Sequence, residues 1–276
     1  MIFNYKKWEK FCNSLKNKGV QSIPARMVDG TTKKYIVLKH DVETNVKKAF
    51  DLALIEYKND HCGSYYVQAY LLNDEKNVDL LKKMQKMGHE VSYHYDVMDS
   101  SKGDIELALK EFEKNKELFE SLGFKVETVC QHGNPIVERN GYTSNRDFFR
   151  SERVRCIYPE VSDIMVNFQE AHSTDYKYLS DAGRRFKLIF DPLNNDIVDS
   201  SEKDVVYSDL NEVLSSLDFE GRYIISTHPH RWTKSVAVYS LKNLIFHTIK
   251  LVAKVMVKIP LMKKVMSKYY YLAKKI

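Results

Sequence analysis

Histidines and aspartates in this chain stand at the ends of short β-type apolar runs, a placement suited to metal-assisted hydrolysis. The runs are Tyr35 to Asp41, Glu90 to Asp96, Val126 to His132, Tyr176 to Asp181 and Tyr223 to His228. In a barrel of parallel strands the C-terminal ends share one rim, where the active sites of such folds are built. Side chains distant in sequence would then meet at one point. Asp41 can ligate a divalent cation, and His40 beside it is a candidate base. A period of two puts Glu90, Ser92, His94 and Asp96 on one strand face. His132 precedes Gly133-Asn134-Pro135, a turn signal that would expose its ring. Histidine with carboxylate suits zinc, and also nickel, cobalt or manganese. A bound cation lowers the pKa of its water toward ~7 and polarises a carbonyl. His228 is then the candidate acid, since imidazole titrates near neutral pH.

Each residue also has a structural reading. A lone strand-end histidine is commonly a hydrogen-bonded scaffold residue, and Asp41 could cap the next helix. His89 reads as part of the Gly88 turn, and Cys130 as a strand residue packed inward. The functional reading gains its force from five strand ends together.

The elements needed to position these residues are legible. Strand 35–41 precedes a helix with Val46, Ala49, Phe50, Ala53 and Leu54 on one face. Strand 62–70 leads to a helix carrying Val78, Leu81 and Met84, stopped by Gly88. Strand 90–96 precedes a helix from Asp104 to Leu122, which Gly123 ends, and strand 126–131 follows. This alternation predicts βα units and a parallel sheet. A strand is expected over Asp163 to Phe168, short strands over 176–180 and 186–190, a helix over 209–217 and a strand over 223–227. The expected organisation is an N-terminal helical segment over 1–34, an α/β body over 35–233 and a helical tail over 234–276.

Composition bounds the answer further. The chain has 276 residues, 43% of them hydrophobic and 29% charged, as in an ordinary globular protein. Four scattered cysteines without Cys-x-x-Cys spacing suggest a reduced, cytoplasmic inventory. No secretory signal or membrane span is read from the sequence. Net charge is +6, yet residues 234–276 hold ten lysines and no acid, which leaves the rest at −4. From 241 to 259 the tail is apolar apart from Lys242, His247, Lys250, Lys254 and Lys258, before Pro260 and Lys263, Lys264 and Lys268. Such a helix suits an anionic membrane surface over 241–268. The expected location is therefore cytoplasmic and peripheral to the inner membrane face. Nucleic acid is not expected, because the body is acidic and carries no recognition motif.

Gly88-His-Glu-Val-Ser-Tyr-His94 resembles the second motif of the polysaccharide deacetylases, the carbohydrate esterase family 4 or NodB-homology group. His40-Asp41 is similar to a variant of that family's first motif, normally Asp-Asp. Gln131-His132-Gly-Asn-Pro lies where the third is expected. Tyr178-Leu-Ser-Asp181-Ala-Gly-Arg-Arg and Ser226-Thr-His228-Pro-His-Arg-Trp232 resemble the fourth and fifth. The resemblance covers about 35 to 233 and is to an uncharacterised, divergent branch. It implies a distorted (β/α)7 barrel that removes acetyl groups from sugars or surface-polysaccharide precursors with a divalent metal, zinc first. On this resemblance Asp41 and His94 are metal ligands. Met98 stands where a third ligand histidine is expected, so His132 is the candidate to complete the site, with Asp96 next. His40 takes the base position, Asp181 orients a catalytic group and His228 is the acid. Asp96, Asn134 and Arg231 are the candidate substrate-binding residues. The competing expectation, from Met98 and His40, is an inactive sugar-binding or scaffold module of the same fold.

Overall fold

A computed structural model describes residues 2–134, 137–197 and 204–256. Its centre is a nine-stranded sheet of β1 (Tyr35–Val42), β2 (Gly63–Val67), β3 (Glu90–Tyr95), β4 (Thr128–Gln131), β5 (Ser162–Asp163), β6 (Lys177–Ser180), β7 (Phe186–Ile189), β8 (Val205–Tyr207) and β9 (Arg222–Thr227). The order is β5-β4-β3-β2-β1-β9-β6-β7-β8. Every pairing from β5 to β6 is parallel, and β7 alone runs antiparallel, between β6 and β8. All five strands named above therefore end on one rim. No pairing between β5 and β8 closes the sheet among the described residues, so the expected α/β barrel is a distorted, open one.

Ten α-helices accompany the sheet among the described residues. They are α1 (Tyr5–Asn17), α2 (Val46–Lys58), α3 (Glu75–Lys86), α4 (Val97–Ser100), α5 (Ile105–Ser121), α6 (Asp147–Arg150), α7 (Glu152–Ile157), α8 (Phe168–Ala171), α9 (Leu210–Ser216) and α10 (Val236–Met256). Side-chain oxygens of Asn4, Asn45, Asp74, Asp104 and Asp209 accept from the first-turn amides of α1, α2, α3, α5 and α9. Asn45, not Asp41, caps the helix after β1, which leaves Asp41 for another role. The N-terminal segment packs into the body: Trp8, Phe11 and Leu15 share a core with Ile36, Leu38 and Trp232.

One expectation is corrected. The strand at Asp163 is only two residues long, because the Asp163 carboxylate accepts from Met165 N at 2.6 Å and Asn167 Oδ1 accepts from Asp163 N at 2.7 Å. Those bonds curl the chain into a turn. Edge strand β8 was not foreseen; at three residues it is too short to show a period. Helix α10 starts at Val236, inside the helical tail expected over 234–276, while Pro260, Lys263, Lys264 and Lys268 lie outside the described residues.

Strand β1 is buried along its whole length, as a central parallel strand should be. On one side of it a buried polar hub forms at Glu56 of α2. Its Oε1 accepts from Trp8 Nε1 at 2.9 Å and lies 2.9 Å from His40 Nε2, while Oε2 accepts from the Tyr65 hydroxyl at 2.7 Å. His40 also bonds Thr227 Oγ1 at 2.7 Å and stacks on Tyr65 at 4.2 Å. His89 Nδ1 accepts from Gly63 N at 3.0 Å, and its Nε2–H donates to the Ala53 carbonyl at 3.0 Å, tying β3 to β2 and α2. The hub thus joins α1, α2 and the central strands. Removing one member of a buried charged network leaves the others uncompensated. Glu56→Ala should cost about 3–5 kcal/mol in urea-induced unfolding. A loss below about 1 kcal/mol, the range of an ordinary surface pair, would remove the hub from the account.

Candidate functional site

The pleat of β1 sends Lys39 and Asp41 to the side opposite His40, and Glu43 continues the period just beyond the strand. All three line a cavity of about 470 Å3 at the strand ends, with His94, Cys130 and His228. Lys39 Nζ donates to both Asp41 oxygens, at 2.6 and 2.7 Å, and to Ser226 Oγ at 3.3 Å. Burial disfavours the Asp41 carboxylate, but Lys39, then His94 and His228, outweigh it and hold its pKa well below the usual range.

His94 is set up as a ligand. Its Nδ1–H can only donate to the Cys130 carbonyl, 3.0 Å away, which leaves the lone pair on Nε2. That Nε2 is buried and has no hydrogen-bond partner. Burial pushes the His94 pKa down to about 3, so the ring is neutral at physiological pH. The His132 ring stands edge-on to it at 5.3 Å, with Nε2 3.5 Å from Glu43 Oε1. The loop carrying His132 is fixed by its own amide donating to Tyr95 O at 2.7 Å and by Asn145 Nδ2 donating to its carbonyl at 2.8 Å. Two overlapping sets have donor atoms all within 4.8 Å of one another: Asp41, His94 and Cys130, and Glu43, His94 and His132. Nitrogen and carboxylate donors of this kind suit zinc and its first-row neighbours.

Opposite them stands a carboxylate–imidazole pair. Asp181 Oδ1 accepts from His228 Nδ1 at 2.5 Å, and Oδ2 accepts from the His228 amide at 3.0 Å. Arg231 Nη1 donates to Asp181 Oδ1 and to the Asp181 carbonyl, both at 2.8 Å. Burial opposes the charge on Asp181, but Arg231 and then His228 hold its pKa below the usual carboxylate range. With Nδ1 engaged, His228 Nε2 faces the cavity, 3.6 Å from Asp41 Oδ2 and 4.0 Å from Glu43 Oε1. His230 lies on the same wall, its pKa pushed down to about 3 by burial and then by Arg231.

No family model matches the chain, and no curated protein matches it. Solved structures do. Among them are peptidoglycan deacetylases and an esterase. A peptidoglycan deacetylase of Bacillus subtilis is 14% identical, with 90% of this chain and 99% of that one covered at a TM-score of 0.39. A carbohydrate esterase family 4 enzyme of Streptococcus mutans is 13% identical, with coverage of 84% and 90% and a TM-score of 0.44. A peptidoglycan deacetylase of Bdellovibrio bacteriovorus is 12% identical, with coverage of 76% and 48% and a TM-score of 0.32. Superpositions this loose leave the site to be argued from its own side chains.

The structure brings Asp41, His94, His132, Asp181, His228 and Arg231 together at one end of the sheet. It does not bring His40, the expected base, which is committed to the Glu56 hub on the other side of β1. Asp96 and Asn134, expected on substrate, are not among the residues lining the cavity. Asp96 Oδ2 lies 4.0 Å from His132 Nδ1, and the Asn134 carbonyl accepts from Arg139 Nη2 at 2.8 Å. Arg231 reaches the cavity with Nη1 bound to Asp181, so it holds the pair in place. Met98 is in the apolar core. Sequence reasoning missed Lys39, Glu43 and His230, although extending the period of two along Lys39-His40-Asp41-Val42-Glu43 finds the first two.

Asp181 has a lower pKa folded than its unfolded value of ~3.9. Its contribution to stability is therefore complete at neutral pH and lost as pH falls below ~4. Urea unfolding of Asp181→Asn should show a smaller fall in stability between neutral pH and pH ~3 than the parent chain. An equal fall would mean that the pair contributes nothing to folding.

Proposed function

We propose that this chain is a metal-dependent hydrolase that removes an acetyl group from an acetylated sugar or surface-polysaccharide precursor. One observation carries the reading. A buried imidazole nitrogen without a hydrogen-bond partner sits among carboxylates, and an Asp181–His228 pair faces them across one cavity. When bound among those donors, a divalent cation, zinc first, supplies a Lewis acid for the acetyl carbonyl and lowers the pKa of water.

The residues do the rest. The Glu43 carboxylate, on the cavity wall, accepts a proton from the water whose oxygen attacks the acetyl carbon. His228 Nε2 gives a proton to the departing amine nitrogen or alcohol oxygen as its bond to that carbon breaks. Asp181 accepts from His228 Nδ1–H and so aims Nε2 into the cavity, where the doubly protonated ring carries the proton it gives, and Arg231 holds Asp181. Tyr178 is among the residues that line the cavity. A sugar-binding module without turnover is favoured by one feature, the Lys39 ammonium already seated on Asp41. Acetate release separates the two readings.

Zinc-loaded protein should release acetate from an acetylated amino sugar oligomer, and chelation should abolish release. His228→Gln should lower kcat by about 10²–10⁴-fold with the metal still bound. An inert wild-type protein with stoichiometric zinc, across N- and O-acetyl sugars, would favour the binding module.

The tail gives this activity a place. Among the described residues no helix is long and apolar enough to cross a membrane. Helix α10 instead exposes Leu241 and Leu244, at 60% and 65%, in a segment whose only charges are lysines. Such a helix binds anionic bilayers through apolar insertion and charge. The full chain should sediment with phosphatidylglycerol-containing vesicles and not with phosphatidylcholine alone, and Leu241→Glu with Leu244→Glu should release it. Equal binding to both vesicles, or none, would contradict a membrane role.

A further inference from the structure

We propose that His230 is a substrate-binding residue, whose ring offers a fixed Nε2–H donor to an oxygen of the sugar that carries the acetyl group. The proposal rests on the reading of the cavity as a sugar deacetylase site and adds the residue that seats the leaving sugar beside His228. His230 lines the same cavity, and no proton-transfer step uses it.

His230 stands two residues after His228, and Pro229–Arg231 form one turn of 3-10 helix between β9 and the core. The two imidazole rings lie 5.9 Å apart, edge to face at 79°. That turn is anchored at two points. Lys48 Nζ of α2 donates to the His230 carbonyl at 2.6 Å, and Trp232 is buried against Phe3 and Trp8. The His230 ring therefore has a set place beside His228, on the side of the cavity where the leaving group receives its proton.

The two nitrogens of this ring are not equivalent. Nδ1 is buried and has no hydrogen-bond partner among the described residues. A buried N–H without an acceptor is rarer than a buried acceptor left unpaired, so the proton is disfavoured on Nδ1. Burial and then the Arg231 charge keep the ring neutral, with a pKa of about 3. A neutral imidazole carries one proton, and with Nδ1 bare it sits on Nε2. The ring is thus a poor acid or base at neutral pH, and what it supplies is a hydrogen bond. Hydroxyl, ring and glycosidic oxygens of a sugar all accept such a bond. These oxygens are not the reacting atoms, so the bond is made equally in the ground state and the transition state.

Acetate-release kinetics of the zinc-loaded full chain on N- and O-acetylated sugar oligomers test this, together with calorimetric binding of the same oligomers on a slow His228→Gln background. His230→Phe keeps a ring and loses the donor. Its KM and Kd should rise roughly 3–10-fold, the worth of one hydrogen bond, while kcat changes less than about twofold. His230→Gln, whose amide nitrogen can stand where Nε2 stood, should restore most of the affinity. His230→Asn, whose amide reaches only as far as Nδ1, should not. Unchanged zinc stoichiometry in each variant shows that the cavity is still built. Nitrogen NMR of the full chain should find His230 with Nδ1 bare, Nε2 protonated and no titration near pH ~6.5. An unchanged KM in His230→Phe, a fall in kcat alone, no difference between Gln and Asn, or a proton on Nδ1 would overturn the assignment and leave the deacetylase reading standing. A wild type that binds an oligomer without releasing acetate ends the deacetylase reading, and weaker binding by His230→Phe then keeps His230 as a sugar contact. A wild type that neither binds nor hydrolyses any of them overturns both.

Discussion

Adjacent residues of a β-strand point to opposite sides of the sheet, and on β1 this constraint separates two buried polar systems. Both are built from one stretch of chain, Lys39 to Glu43. His40 goes to one side, into the hub that Glu56 shares with Trp8 and Tyr65. Lys39 and Asp41 go to the other, into the cavity with His94 and His228. A slip of one residue in the register of β1 would exchange the two sets and leave charges facing apolar neighbours. Parallel pairing to β2 on one side and β9 on the other, over most of the strand, holds that register.

Charge balance explains why the cavity side can be so polar. An isolated buried charge is costly, and a paired one is tolerated only with good geometry. Lys39 meets Asp41 with two short bonds, and Asp181 meets Arg231 and His228 with three side-chain or backbone donors. Two of the site's histidines, His94 and His230, are pushed toward their neutral forms by burial. The result is that the Asp41 carboxylate and the His94 ring stand deprotonated and held in place. Such preorganisation is what a cation site requires, because ligands then need not be rearranged on binding.

Much of this was legible before any coordinates. The β-type runs ending on His or Asp place Asp41, His94, His132, Asp181 and His228 on one rim once the strands are parallel, and the βα alternation predicts that they are. What stayed hidden depends on neighbours distant in sequence. His40 reads as a base because it sits beside Asp41, and only Glu56, sixteen residues on, shows that it belongs to the scaffold. Lys39 reads as an ordinary charged residue because lysine is rarely buried, and its pairing with Asp41 is needed to make it an interior one. Asp163 and its turn were missed because local side-chain bonds override an apolar pattern that reads as strand. Glu43 was visible and overlooked, since the chain leaves the strand just before it while keeping its period.

The most direct measurement is an anomalous difference map from crystals of the full chain soaked in zinc, collected on both sides of the zinc edge. The account predicts one strong peak within bonding distance of His94 Nε2, at the end of the sheet that His228 faces. A map without a peak at His94 would contradict it.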